Sequence, residues 1–352
     1  MTRILLTGAN GHLGANITRC LIDSGYQVVP FVRRSADLRG LEPFGLSYSY
    51  GDVRDLGSLV EAAQGCDALI HTAAVYNYWA RDPEDIIQPA LVGTRNAFEA
   101  ARQAGVQLVI HTSTTWAVGL SRDPKKTLTA NDWNDDPQNP YAVAKTRSEK
   151  EAWRLSEETG IPMISICPGG VLGAYDYRIT PSTLTVKNWI NRSTPIYKGG
   201  IGLADVRDVA QAFVKAIECG DYGRRYIIAG ENLDNEAIGS LLESLTGLEL
   251  RRLNVKRSTY KMIGSIYEIA ARLTGTTPTF TRALADELVE RYMFYDSQET
   301  YQQFGLTPTP PEVMFTDTIR WLLFMDQIKP KIAEKLKDKF QPLPEWTMAE
   351  AA

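Results

Sequence analysis

RILLTGANGHLG, Arg3 to Gly14, decides the fold. A short apolar run leads straight into Gly8, Gly11 and Gly14, spaced three apart, and a stretch of helical length, HLGANITRCLIDSG, follows. Glycine lets the backbone bend tightly and approach a diphosphate, whose charge is held by N–H groups at a helix N-terminus. A glycine motif alone says little. Between the first strand and first helix of a strand–helix–strand unit, it points to a dinucleotide site.

The N-terminal half repeats that rhythm. QVVPFV, LSYSY, DALIHT, QLVIHT and PMISIC read as short apolar strands, and LGSLVEAAQG and DIIQPALVGTRNAFEAARQAG read as helices ending at glycine. Such alternation predicts an α/β fold, a Rossmann-type doubly wound parallel sheet covered on both faces. After Pro168 the rhythm loosens: AYDYRITPSTLTVKNW reads as irregular, ADVRDVAQAFVKAIECG as a helix and RRYIIAG as a returning strand. From Glu231 helical patterns dominate, among them IGSLLESLTG, YKMIGSIYEIAARLTG and TRALADELVERYM. The expected division is a nucleotide-binding lobe of residues 1–165 plus about 203–230, and a smaller, mostly helical substrate lobe of about 166–202 and 231–328. A charged tail, 329–352, follows.

With 352 residues the chain can bury a large core, and its formal net charge of −4, without a long basic run, argues against nucleic acid or an anionic membrane surface as the main partner. MTRILLTG enters a strand without the pattern of a signal peptide, and no stretch has the apolar length of a membrane span. A cytoplasmic protein is the expectation. The three histidines and four cysteines share no metal-ligand spacing, so no metal is expected.

The end of the second strand bears on which dinucleotide is held. NAD sites usually place an acid there for the ribose hydroxyls. Here Arg33-Arg34-Ser35 stands instead, and a guanidinium fork suits a phosphate. NADP (as NADPH) is therefore expected over NAD, with Arg33 the first choice for the 2′-phosphate. Asp52 and Val53, after the third strand, can meet the adenine amino group and ring, though Asp52 also suits a helix cap.

TGANGHLG, GDVRD at 51–55, HTAA at 71–74, PALVGTRNAFEAA at 89–101, TSTTWAVG at 112–119, YAVAK at 141–145, CPGGVLG at 167–173 and DVRDVAQA at 205–212 form an ordered set. In it the chain resembles the extended short-chain dehydrogenase/reductases of the NAD-dependent epimerase/dehydratase superfamily, and within them the dihydroflavonol-reductase-like group. The resemblance spans about residues 2–325. It implies that Tyr141 is the general acid and that Lys145, one helical turn on, supplies the positive charge that eases its ionisation. It also implies a Ser or Thr that orients the carbonyl: Thr114 by the alignment, with Ser113 the neighbouring alternative. Cofactor contacts fall to Gly8, Asn10, Gly11, His12, Leu13, Gly14, Thr72, Ala73, Ala74, Lys145, Pro168, Gly169 and Val171. His12 stands where the family usually has an apolar residue, and either reaches the cofactor phosphate or fills space.

Departures from the wider superfamily narrow the chemistry. Thr115-Trp116 occupy the place of the Asp-Glu pair of sugar dehydratases, and Ala90 the place of the epimerase asparagine. Aromatic residues follow HTAA, Thr114 and PGG, so Tyr76, Tyr78, Trp116 and Tyr175 are expected at the substrate, with Trp189 as a lid and Asn77 or Asp176 available for a polar group. The expected function is an NADPH-dependent reductase of a bulky, largely apolar aldehyde or ketone. The alternatives are a hydroxysteroid-like alcohol dehydrogenase, an epimerase and, outside enzymes, a nucleotide-sensing regulator. Relatives often dimerise through the Tyr141 helix, and monomer and homodimer both stay open.

Overall fold

The computed structural model describes residues 2–276, 278, 280–341 and 343. Its first half alternates strand and helix: β1 (Arg3–Thr7), α1 (His12–Asp23), β2 (Gln27–Val32), β3 (Ser49–Tyr50), α2 (Leu56–Ala63), β4 (Ala68–His71), α3 (Glu84–Ala104) and β5 (Leu108–Thr112). Next come α4 (Thr115–Val118), α5 (Pro140–Thr159), β6 (Met163–Pro168), β7 (Gly170–Leu172), α6 (Pro181–Ile190), β8 (Gly200–Asp205), α7 (Val206–Cys219) and β9 (Arg225–Ile228). The C-terminal part holds β10 (Glu231–Asp234), α8 (Asn235–Thr246), α9 (Arg257–Thr274), α10 (Arg282–Leu288), β11 (Tyr292–Met293), α11 (Gln298–Phe304), α12 (Pro311–Phe324) and α13 (Pro330–Leu336).

Seven strands form a parallel sheet in the order β3-β2-β1-β4-β5-β6-β9. This is the doubly wound α/β architecture expected from the alternation. The strands are short and apolar because both faces are covered: Ile4, Leu6 and Ile110 pack with Ile17 and Phe213, while Leu5, Leu69 and Val109 pack with Leu59, Ala97 and Phe98. Chain order reverses on either side of β1 and β4, which opens a crevice beyond the carboxyl ends of the strands. A second, four-stranded sheet centres on β8, which pairs with β7, β10 and β11. Leu172, Leu203, Ile238, Phe315 and Leu322 form a separate core beside it.

Two stretches depart from the sequence reading. TRALADELVERYM is helical only to Leu288; Glu290 takes a φ of 55°, and Tyr292–Met293 pair with Gly200–Ile201 of β8. Sheet pairing overrode a helical pattern there. Conversely, the stretch read as irregular contains α6, started by Pro181 at its first turn and by Asp176, whose carboxylate accepts from the Thr180 amide and hydroxyl at 2.7 Å each. Within the expected tail only α13 and a few following residues are described. Among the described residues no helix is long and apolar enough to cross a membrane.

Candidate active site

The phosphate turn is held by sterics. Gly8 has φ +69°, and a Cβ on it would sit 2.8 Å from the Ala73 amide; a Cβ on Gly14 would sit 2.8 Å from the Ala9 Cα. Both positions exclude side chains, and the backbone stays open to the cavity beside it. Gly11 caps α1 without a side-chain hydrogen bond, and no acid lies in the helix's first turn. The orphan N–H groups there suit a diphosphate, so the residues present fit a bound dinucleotide. His12 Nε2 donates to the Ala174 carbonyl at 2.9 Å, and Nδ1 lies 3.8 Å from Asp176 Oδ2. The ring thereby fastens the turn to the chain after β7.

One continuous cavity of about 750 Å³ runs from this turn to the substrate lobe. Arg33 lines it at the end of β2, whereas Arg34 turns aside and lies over the Tyr50 ring at 5.3 Å. Asp52 and Val53 also line it. The Asp52 carboxylate accepts from Arg54 Nε at 2.9 Å and Nη2 at 2.7 Å, which holds its pKa down at about 2. Thr72, Ala73 and Ala74 cross the end of β1, where the Thr72 hydroxyl donates to the Thr7 carbonyl at 2.5 Å. Pro168, Gly169 and Val171 close the other side, with Asn10 and Leu13 near the turn.

The start of α5 brings Tyr141 and Lys145 to the cavity. Asn139, fully buried, caps the helix by accepting from the Ala142 amide at 2.9 Å. Its own amide groups donate to Glu287 on α10, which ties this helix end to the C-terminal part of the chain. Tyr141 and Lys145 then project one turn apart toward the end of β5. Burial raises the Tyr141 phenol well above its ordinary pKa, and the nearby Thr114 hydroxyl acts in the opposite sense. Burial lowers Lys145 to about 8 against the raising effect of Glu149, and its Nζ donates to the Thr112 carbonyl at 2.7 Å. The two candidate hydroxyls separate cleanly: Ser113 donates to Glu149 at 2.6 Å, leaving Thr114 beside Tyr141.

Aromatic rings wall the cavity beyond Tyr141. Tyr76 lies 4.7 Å from Tyr141 between ring centroids, Tyr78 lies 5.6 Å from it, and Trp116 packs against Tyr78 at 5.7 Å. The Tyr76 hydroxyl is 3.2 Å from that of Tyr78 and 3.4 Å from Ser182 on α6. Trp189 also lines this end. Tyr175 does not reach the cavity: with φ at 65° its ring turns to Trp321, 5.1 Å away. Asp176 is fully buried on Thr180, and the Asn77 side-chain Oδ1 accepts from the Trp79 amide, so both have local partners. Sequence reasoning missed Thr185, Val186, Tyr197 and Met293, which approach from distant segments.

This geometry defines a dinucleotide-binding oxidoreductase, and comparison with known proteins agrees. Residues 4–229 match the NAD dependent epimerase/dehydratase family, and the chain belongs to that family. It is 30% identical over 323 residues to sterol demethylase protein B of Methylococcus capsulatus, covering 90% of this chain and 97% of that protein. Cinnamoyl-CoA reductase 1 of Petunia hybrida is 31% identical, covering 64% and 72% respectively. Dihydroflavonol 4-reductase of Hordeum vulgare is 26% identical, covering 68% and 74%. Among solved structures, gox2253 superposes with a TM-score of 0.81 at 28% identity, covering 94% of this chain and all of that one. The protein is thus an NAD(P)-binding enzyme of the extended short-chain dehydrogenase/reductase type, acting on carbonyl or CH–OH groups.

Behind the reactive face lies Glu149, which the sequence reading passed over. It stands four residues after Lys145 and eight after Tyr141, so the same helical spacing that singled out the pair also marked a buried acid. Fully buried, its carboxylate accepts from Ser113 and Ser165 at 2.6 Å each and from Arg225 Nε and Nη2 at 2.8 and 3.1 Å. Replacing one member of a buried pair leaves the other charge uncompensated. Glu149→Gln is expected to lower unfolding stability by about 3–5 kcal/mol in chemical denaturation. Unchanged stability would mean that Arg225 is neutralised elsewhere.

Proposed function

We propose that the enzyme reduces a bulky, largely apolar aldehyde or ketone with NADPH. The observation that carries this reading is the meeting of Thr114, Tyr141 and Lys145 where the glycine-turn cavity passes into a chamber walled by Tyr76, Tyr78 and Trp116. The bound dinucleotide would supply the hydride that reaches the carbonyl carbon. Tyr141 would give its proton to the carbonyl oxygen, and Thr114 would hold that oxygen by its hydroxyl. A buried phenol resists ionisation, so the proton transfer depends on positive charge from Lys145. Aromatic walls exclude water and favour a flat or polycyclic carbonyl compound. Relatives named for cinnamoyl-CoA, dihydroflavonol and sterol chemistry support a substrate of that size. Arg33 at the end of β2, with no acid at that strand end, supports NADPH over NADH.

NADPH consumption with a panel of aromatic and aliphatic aldehydes and ketones tests the reading directly. Tyr141→Phe should lower turnover by roughly a hundredfold or more while leaving cofactor binding intact; equal turnover would overturn the assignment of the proton donor. Arg33→Ala should weaken NADPH binding roughly tenfold or more and leave NADH little affected. If both cofactors weaken alike, the 2′-phosphate is recognised elsewhere. Lys145 is charged below about pH 8 and neutral above it. Reductive kcat/KM should therefore hold below that pH and fall as pH rises through it. A profile flat across pH 8 would contradict this role for the lysine.

A further inference from the structure

Helix α9 carries four large apolar side chains on the face turned away from the protein. Tyr260, Gly264 and Ala271 are buried, and Gly264 lies so close to Thr281 that a Cβ would come within 2.5 Å of its carbonyl carbon. Met262, Ile266, Ile269 and Leu273 are 59%, 56%, 59% and 82% exposed. Their spacing of four, three and four residues aligns them in one narrow stripe on the opposite face. An apolar stripe of this kind held in water marks an interaction surface.

The surroundings say what covers it. From Arg251 to Arg282 the chain has seven Lys and Arg residues against one acid, Glu268, although the whole chain carries a net charge of −4. Arg252 pairs with Glu236 and Glu243, while Arg257 and Lys261 lean on Asp286. The side-chain charges of Lys256, Arg272 and Arg282 form no ion pair among the described residues, although the Arg282 amide donates to Glu268 at 2.8 Å. Lys261 and Arg272 each directly precede a stripe residue and flank the same edge of it. Arg81 donates to the Arg272 carbonyl at 3.5 Å, tying the end of α9 to the loop from which Tyr76 and Tyr78 wall the cavity.

We propose that α9 docks in the plane of an anionic phospholipid bilayer, its stripe in the acyl boundary and its cations at the headgroups. An antiparallel symmetric contact with a second copy would bring each cationic edge toward its like, whereas an anionic lipid surface complements apolar stripe and basic edge together. The helix lies on the membrane rather than spanning it. Whole-chain charge hid this surface, because acids elsewhere outnumber a local basic cluster. Docking would bring the apolar cavity close to a lipid phase.

Flotation of the full-length chain with vesicles tests the proposal independently of any activity. The chain is expected to float with vesicles of equal parts phosphatidylcholine and phosphatidylglycerol, much less with phosphatidylcholine alone, and less as salt rises. The Ile266→Ser, Leu273→Ser double variant should lose more than about tenfold in partitioning with its far-ultraviolet dichroism unchanged. Lys256→Gln with Arg272→Gln should narrow the difference between the two vesicle types. No flotation with anionic vesicles, equal flotation of the Ser variant, or equal binding to both lipids in the unaltered chain would overturn it. So would a dimer in sedimentation velocity that the Ser substitutions dissociate, which would assign the stripe to self-association.

Discussion

The buried carboxylate of Glu149 is the constraint on which the arrangement of α5 against the sheet depends. A charge out of water is tolerated only when paired and fully hydrogen-bonded, and Glu149 meets that condition through Arg225, Ser113 and Ser165. Those partners stand on β9, just after β5, and on β6, so one side chain of α5 is tied across three adjacent strands. Arg225 reaches further, donating to the Ala130 and Asp132 carbonyls and lying 3.9 Å from the Trp133 ring centre. The register between α5 and the strand ends is therefore set by satisfied polar contacts as well as by apolar packing. Tyr141 and Lys145, on the same helix face, inherit that register.

A second tie acts at the other end of α5. Glu287 accepts from the Gln138 and Asn139 amides and from the Asn139 side chain, joining α10 to the helix that carries Tyr141 and Lys145. His12 makes a comparable link between the glycine turn and the segment leading to α6. The cavity is thus bounded by elements that touch through a few buried polar bonds. The glycine turn and the segment before α6, like α5 and α10, are joined directly by those bonds.

The electrostatics of the chain act locally, and a total conceals them. An overall net charge of −4 sits with an arginine lining the cavity at the end of β2 and with basic residues clustered around α9. The acid that neighbours Arg33 is itself engaged: Arg54 takes both oxygens of Asp52.

The amino-acid sequence by itself determined the doubly wound sheet, the glycine turn, the helical turn joining Tyr141 to Lys145 and the family. Each rests on alternation, on spacing or on the steric limits of glycine, which act within a few residues or repeat regularly along the chain. Tertiary structure alone decided that Ser113 faces Glu149 while Thr114 stays beside Tyr141, that Arg34 turns to Tyr50, and that Tyr175 turns to Trp321. It also decided that β11 ends a helical pattern by pairing with β8, and that the apolar stripe of α9 faces outward. In each case the deciding partner is remote in the chain, or the deciding quantity is burial. A side chain's direction follows from which distant surface can satisfy its hydrogen bonds or cover its apolar atoms, and local spacing carries no record of that surface.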